Sequence, residues 1–290
     1  MHRALPLLLA VAVAVTACGA PSGTDGDLTN GWPTPPSPSY LPPKQGDCLT
    51  DGAFTAFEQP KRRNAIRTDC AQPHTVEVVA TGTTASAAWD DDETRRAYAA
   101  CDAAASAYVG GDWHTGRLLP YLSIPDDAGW QGGVRTWVCG LAEAADDLFA
   151  PKTRTGSLRG GIAQLALTCV DLEGDSVSPE GFYRSVDAVL PVSCTDAHDT
   201  EFVGVWVAPA GPNPPDAQTV TKACFQQTAS FIGLTELQLY TRKDVYTFWD
   251  GLTPAQWRLG DRTAHCFLNV STAKPLHASL KGLAMNPLPG

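Results

Sequence analysis

Two short stretches carry the side chains best suited to acid–base or metal chemistry. Cys70-x3-His74-x2-Glu77 and Cys194-x3-His198-x2-Glu201 share one spacing. An imidazole beside a carboxylate can move a proton or hold zinc. On a strand, residues three apart point to opposite faces, so one pair would not chelate one ion; on a helical turn they would share a face. Neither HExxH nor Cys-x2-Cys is present to support a metal centre, and no cofactor is expected. The competing reading is structural and is preferred: each His caps a turn beside a disulfide, and each Glu meets a buried cation. Arg135 and Arg262 are the candidate cations, each four residues before a cysteine, Cys139 and Cys266. A guanidinium pairs bidentately with a carboxylate and stays charged when buried; an exposed Arg at a strand edge is the other reading. Trp130 and Trp257 precede these arginines and are read as core or turn-packing residues, with a sugar-stacking platform as the alternative.

Nucleophilic catalysis finds little support. The chain has no Gly-x-Ser-x-Gly, and cysteines held as disulfides offer no thiolate. Ser157 and Ser279 recur among small residues and read as tight turns. Asp126-Asp127 lacks a counterpart later in the chain, Asp146-Asp147 reads as a solvated loop, and Asn269-Val270-Ser271 fits a glycosylation sequon. No catalytic residue is assigned.

The motifs belong to a larger repetition. Cys48, Cys70, Cys101 and Cys139 are separated by 22, 31 and 38 residues; Cys169, Cys194, Cys224 and Cys266 by 25, 30 and 42. Cys101-x6-Tyr108-Val109-Gly110 matches Cys224-x6-Phe231-Ile232-Gly233. Trp130-x2-Gly133-x-Arg135-x3-Cys139 matches Trp257-x2-Gly260-x-Arg262-x3-Cys266. Gly156-Ser157-Leu158-Arg159-Gly160 matches Ala278-Ser279-Leu280-Lys281-Gly282. Motifs in one order at fixed internal spacing define two homologous units, 46–160 and 161–283, with a tail at 284–290.

Each unit must position its motifs on a few elements. Asp90 to Glu93 opens a helix, because acids suit the positive end of the helix dipole. Tyr98, Cys101, Ala105 and Tyr108 form one apolar stripe, and Gly110 suits a left-handed C-cap. Pro214-Pro215-Asp216 starts the second helix, Val220, Cys224, Thr228 and Phe231 line its face, and Gly233 stops it. Strands are expected at Glu77 to Thr81, Leu118 to Ile124, Val134 to Leu141, Glu201 to Val207, Gln238 to Tyr246 and Thr263 to Val270. The fold class is therefore α+β: two homologous units, each a mostly antiparallel sheet with one helix, stapled by disulfides. Placement of the third cysteine on the helix and the fourth on a strand pairs Cys101 with Cys139 and Cys224 with Cys266. That leaves Cys48 with Cys70 and Cys169 with Cys194, although sequence alone permits three pairings per unit.

Composition narrows the setting. The chain has 290 residues, 43% of them hydrophobic, and 21 Lys and Arg against 31 Asp and Glu give a net charge of −10. An acidic chain is a poor partner for nucleic acid or for anionic lipid through a polybasic patch. Residues 1–17 open with His2 and Arg3, then run apolar from Ala4 to Val15, too short for a bilayer span and typical of a secretory signal. The run Val15-Thr16-Ala17-Cys18 resembles a bacterial lipoprotein signal, in which the cysteine is diacylglycerated and becomes the new N-terminus; Val15 is less usual there than Leu. Two acyl chains suffice for stable anchoring. With Cys18 lipidated, the nine cysteines leave eight for disulfides. Residues 18–45 form a Pro-rich tether reaching at most roughly 80 Å; within it Trp32 has no assigned role.

The order Gly46-Asp47-Cys48, Cys70-Ala71-Gln72-Pro73-His74-x2-Glu77, helix cysteine, Trp130-x2-Gly133-x-Arg135-x3-Cys139 and Gly-Ser-Leu resembles the septum-formation domain of actinobacterial membrane proteins and lipoproteins. The resemblance covers both units. The second departs from it in Leu167-Thr168-Cys169 and in Ala197, where the family has Pro. The resemblance implies a role in division or cell-wall assembly and brings no catalytic residues. The resulting expectation is a lipid-anchored, non-catalytic binding or scaffolding protein at the outer face of the cytoplasmic membrane. Its partners would be the membrane, through the anchor, and an envelope protein or cell-wall component, with no nucleic acid. The alternatives are a cell-wall enzyme using His74 or His198, and a ligand sensor with its site between the units.

Overall fold

The computed structural model describes residues 41–289 except 52–53, 55, 58–60, 62–64, 146–149, 175–177, 180 and 182–185. Cys18, Trp32, the signal and most of the tether, and Asp146-Asp147 lie outside the described residues. Two antiparallel five-stranded sheets share one strand order. The first contains β1 (Cys48–Thr50), β2 (Ile66–Thr68), β3 (Val76–Thr83), β4 (Leu118–Ser123) and β5 (Thr136–Glu143), arranged β2-β1-β3-β5-β4. The second contains β6 (Cys169–Glu173), β7 (Ala188–Val192), β8 (Thr200–Val207), β9 (Val245–Gly251) and β10 (Thr263–Val270), arranged β7-β6-β8-β10-β9. The 22-residue excursion between Cys48 and Cys70 returns as β2 beside β1, and the corresponding excursion in the second half returns as β7 beside β6.

One long helix lies on each sheet: α1 (Asp91–Val109) and α4 (Ala217–Ile232). Both obey the end signals in the sequence. The side chains of Asp90 and Asp216 accept the backbone N–H three residues on, and Gly110 and Gly233 adopt the left-handed cap. These two glycines answer a second demand. A Cβ on Gly110 would lie 3.4 Å from Gly160 Cα, and one on Gly233 3.7 Å from Gly282 Cα, so the returning chain packs directly against each helix end. The stripe Tyr98, Cys101, Ala105 and Tyr108 is buried, as are Val220, Cys224 and Thr228.

Short helices complete the halves: α2 (Asp127–Gln131), α3 (Ile162–Leu165), α5 (Glu236–Thr241) and α6 (Pro254–Leu259). The α5 helix corrects the strand expected at Gln238 to Tyr246. Thr235 and Gln238 form a capping box, a local signal for a helix start that outweighs the strand formers around it, and the strand begins only at Val245. Asp126 caps α2 through Gly129 N.

In β3, Val76 and Val78 pack with Leu49, Leu119 and Tyr121 on one face, while Val79 joins Cys101, Tyr108 and Cys139 under α1. Both faces of the first sheet are therefore covered, which explains a strand that opens with four buried residues, Val76 to Val79. Disulfides join Cys48–Cys70, Cys101–Cys139, Cys169–Cys194 and Cys224–Cys266, with Cα separations of 5.1–5.5 Å. The second and fourth of these bolt the long helix to its sheet. Among the described residues, no helix is long and apolar enough to cross a membrane.

Candidate functional site

His74 sits just before β3 and is fixed by its backbone. Its N–H and C=O exchange hydrogen bonds with Arg154 at 2.9 and 2.8 Å; His198 does the same with Leu276 at 3.1 and 2.7 Å. Both rings are folded inward with no exposed surface. The Nδ1 atoms lie 2.9 Å from Gln72 O and 2.8 Å from Asp196 O. A carbonyl only accepts, so Nδ1 carries the proton in each ring. Nε2 is then buried in both halves with no hydrogen bond among the described residues.

Glu77 and Glu201, each only 1% exposed, are held by the segment that closes their half. Ser157 Oγ donates to Glu77 at 2.6 Å and Leu158 N at 2.5 Å, and the Tyr108 hydroxyl donates to the same carboxylate. In the second half Ser279 Oγ and Leu280 N donate to Glu201, both at 2.6 Å. Phe231 replaces Tyr108 there and offers no hydroxyl. His198 Nε2 lies 3.8 Å from Glu201 Oε1 instead. Burial pulls the His198 imidazole down, but the Glu201 carboxylate and the Asp196 carbonyl outweigh it, and its net shift is upward. Burial and the Glu77 hydrogen bond hold the Tyr108 phenol above its usual range.

The ion pairs Glu77–Arg135 and Glu201–Arg262 do not exist. Antiparallel register sets Glu77 opposite Leu141 and Glu201 opposite Leu268. Arg135 and Arg262 lie six residues before those partners, about 20 Å away along a strand. Each arginine belongs to a local turn with its own tryptophan. The guanidinium carbon of Arg135 lies 3.8 Å from the Trp130 ring centre, and that of Arg262 3.7 Å from the Trp257 ring centre. Arg135 Nη1 also donates to the Trp130 and Val134 carbonyls, and Arg262 Nη1 to those of Trp257 and Asp261. Trp257 is buried; Trp130 is half-buried, with Nε1 donating to Ala87 O at 3.1 Å. Each ring has one face covered by its arginine.

Metal binding fails on chemistry. Ligand atoms of Cys48, His74 and Glu77, and of Cys169, His198 and Glu201, lie within 4.8 Å of one another. Both sulfurs are spent in disulfides and are not thiolates. Both carboxylates already accept from two or three protein donors. The arrangement is suited to locking a closing segment onto a sheet.

The residue pattern shows the places of two elements of this lock but not their bonds, and nothing in it marks Asp199. Ser157 and Ser279 stand in tight turns and their hydroxyls also hold the carboxylates, and Tyr108, on the apolar stripe of α1, adds its own hydroxyl to Glu77. Asp199 carried no signal because Thr75 occupies the equivalent place after His74. Asp199 is 2% exposed and accepts from Thr200 Oγ1 at 2.8 Å and Leu172 N at 3.2 Å. Burial, aided by the Asp171 charge, pushes its carboxyl up to about 6. A folded-state value above the unfolded one means stability that is full below about pH 4 and is lost as pH rises through about 6. Asp199→Asn should therefore raise the melting temperature by roughly 5 °C at pH 7 and give no gain at pH 4. Thermal melts of both proteins at the two pH values check this; an equal gain at both would show that the charge is not the cause.

No match is found among curated proteins or among solved structures. The family model described as septum formation matches residues 45–266, from the start of the first sheet to the β10 cysteine. That description points to a septum- or envelope-related role. With the match spanning most of its length, the chain belongs to the septum-formation family.

Proposed function

We propose that this chain is a lipid-anchored envelope protein whose folded part binds or scaffolds rather than catalyses. In this reading residues 1–17 are the signal, Cys18 carries the lipid, and 18–45 is the tether. Residues 46–160 and 161–283 are tandem copies of the family domain. The observation that carries the proposal is the burial of the repeated motif: His74, His198, Glu77 and Glu201 are 0–1% exposed and, for the carboxylates, hydrogen-bonded within their own half. A proton-transfer site needs its base within reach of a substrate, and these groups face the protein interior. The partner would be an envelope protein or cell-wall component at the outer face of the cytoplasmic membrane.

Cell fractionation tests the anchor. Cys18→Ser should appear in the medium or remain unprocessed, and a processed variant still bound to membrane would sink the assignment. Crosslinking in intact cells, followed by identification of the captured envelope partner, tests the scaffold. A double variant His74→Gln with His198→Gln that stays folded yet loses the cellular phenotype would favour an enzyme instead.

A further inference from the structure

Between the two halves lies a cavity of about 170 Å³. Trp113 and Leu118 contribute its apolar wall from the first half, and Leu167 and Ala255 line it from the second. The wall is closed by a hydrogen bond across the halves: His265 on β10 donates from Nε2 to His114 O at 2.8 Å. Arg117 also lines the cavity, and its state is unusual. Its side chain is 19% exposed, forms no hydrogen bond among the described residues, and has a buried Nε without a partner. The nearest carboxylate, Glu143, is 3.9 Å from Nη1 and is already engaged by Lys152 at 2.7 Å and Arg154 at 3.2 Å. Three cations thus share one acid. A mostly buried guanidinium with unused donors is costly to leave so, and planar oxyanions match its fork. Asp250 on the other half also lines the cavity and disfavours a second negative charge. The space is ring-sized, since an apolar cavity of ~150 Å³ admits benzene.

We propose that this cavity binds a small organic monoanion, an aromatic or branched aliphatic carboxylate. Its carboxylate meets Arg117 and its apolar body packs against Trp113 and Leu118. This goes beyond the scaffold reading and does not depend on the lipid anchor. The test is titration of the full-length chain with benzoate, followed by calorimetry and by the fluorescence of the cavity tryptophan, with benzyl alcohol as the uncharged control. Benzoate should bind saturably and raise the melting temperature, and benzyl alcohol should bind at least about tenfold more weakly, the worth of one charge-assisted hydrogen bond. Arg117→Met should weaken benzoate by a similar factor, Arg117→Lys should restore part of the loss, and Ala255→Trp should abolish binding by filling the space. Melts without benzoate establish that each variant folds. If Arg117→Met does not fold, Ala255→Trp and the benzyl alcohol comparison decide. No saturable benzoate binding, equal binding of the alcohol, or undiminished binding by a folded Arg117→Met or Ala255→Trp chain would overturn the proposal.

Discussion

Glu77→Ala should lower the melting temperature by roughly 10 °C. The substitution orphans two buried donors, the Tyr108 hydroxyl and Leu158 N–H, and releases the hydroxyl of the exposed Ser157. At about 1–3 kcal/mol for each of the two buried groups the loss is roughly 2–5 kcal/mol. Glu201→Ala should behave alike, through Ser279, Leu280 and the neighbouring His198. Adding Arg135→Met to Glu77→Ala should bring no recovery, because that arginine stacks on Trp130 at the far end of the strand. Tyr108→Phe should cost only about 1 kcal/mol, since Phe231 already fills the equivalent place. Urea unfolding of the single and double variants separates these outcomes. Recovery by Arg135→Met would restore the ion-pair account and remove the one argued above.

Removing the helix-to-sheet disulfide should be comparably severe. A Cys101→Ala, Cys139→Ala chain loses a cross-link spanning 38 residues, worth about 4 kcal/mol by restriction of the unfolded chain. It also loses the disulfide that ties α1 to β5. The corresponding pair Cys224–Cys266 spans 42 residues and should cost about as much. Accessibility predicts an order of reduction. Cys70 and Cys194 are half-buried, whereas Cys101, Cys139, Cys224 and Cys266 are at most 2% exposed. Under mild reductant with alkylation and mass mapping, Cys48–Cys70 and Cys169–Cys194 should open first. Simultaneous opening of all four would mean that reduction proceeds only through global unfolding.

The scaffold of each half was legible because its signals are local. Asp90 and Gly110 mark helix ends by their own backbone chemistry, and the α1 stripe shows which side carries Cys101. From there a cysteine on a covering helix and another on a strand are natural partners. The segment from Gln238 is helical for a local reason too: Thr235-x-x-Gln238 is a helix-start cap, and it outweighs the β-forming residues around it. The partner of Glu77 was of another kind. Matched offsets from a cysteine say that two residues recur together, not that they meet; only the register, Glu77 against Leu141, places Arg135 out of reach. Two of the three true partners of Glu77 lie 80 and 81 residues downstream in a turn whose small residues conceal what its hydroxyl and amide hold, and the third, the Tyr108 hydroxyl, lies on an apolar stripe. A site between the units could be named from the sequence as an alternative, but its lining could not, because that depends on how Arg117, just before β4, and His265 on β10 come to face one cavity.

The long reach of these carboxylates also sets a timetable for synthesis. Glu77 leaves the ribosome some 80 residues before Ser157 and Leu158, and Glu201 some 79 before Ser279 and Leu280. Every described strand of the first sheet has been made by Glu143, and every described strand of the second by Val270, yet Glu77 then has only the Tyr108 hydroxyl and Glu201 has neither Ser279 nor Leu280. A nascent chain halted at Val270 would carry a complete second sheet that cannot close. Each half is thus latched only when its trailing segment is released.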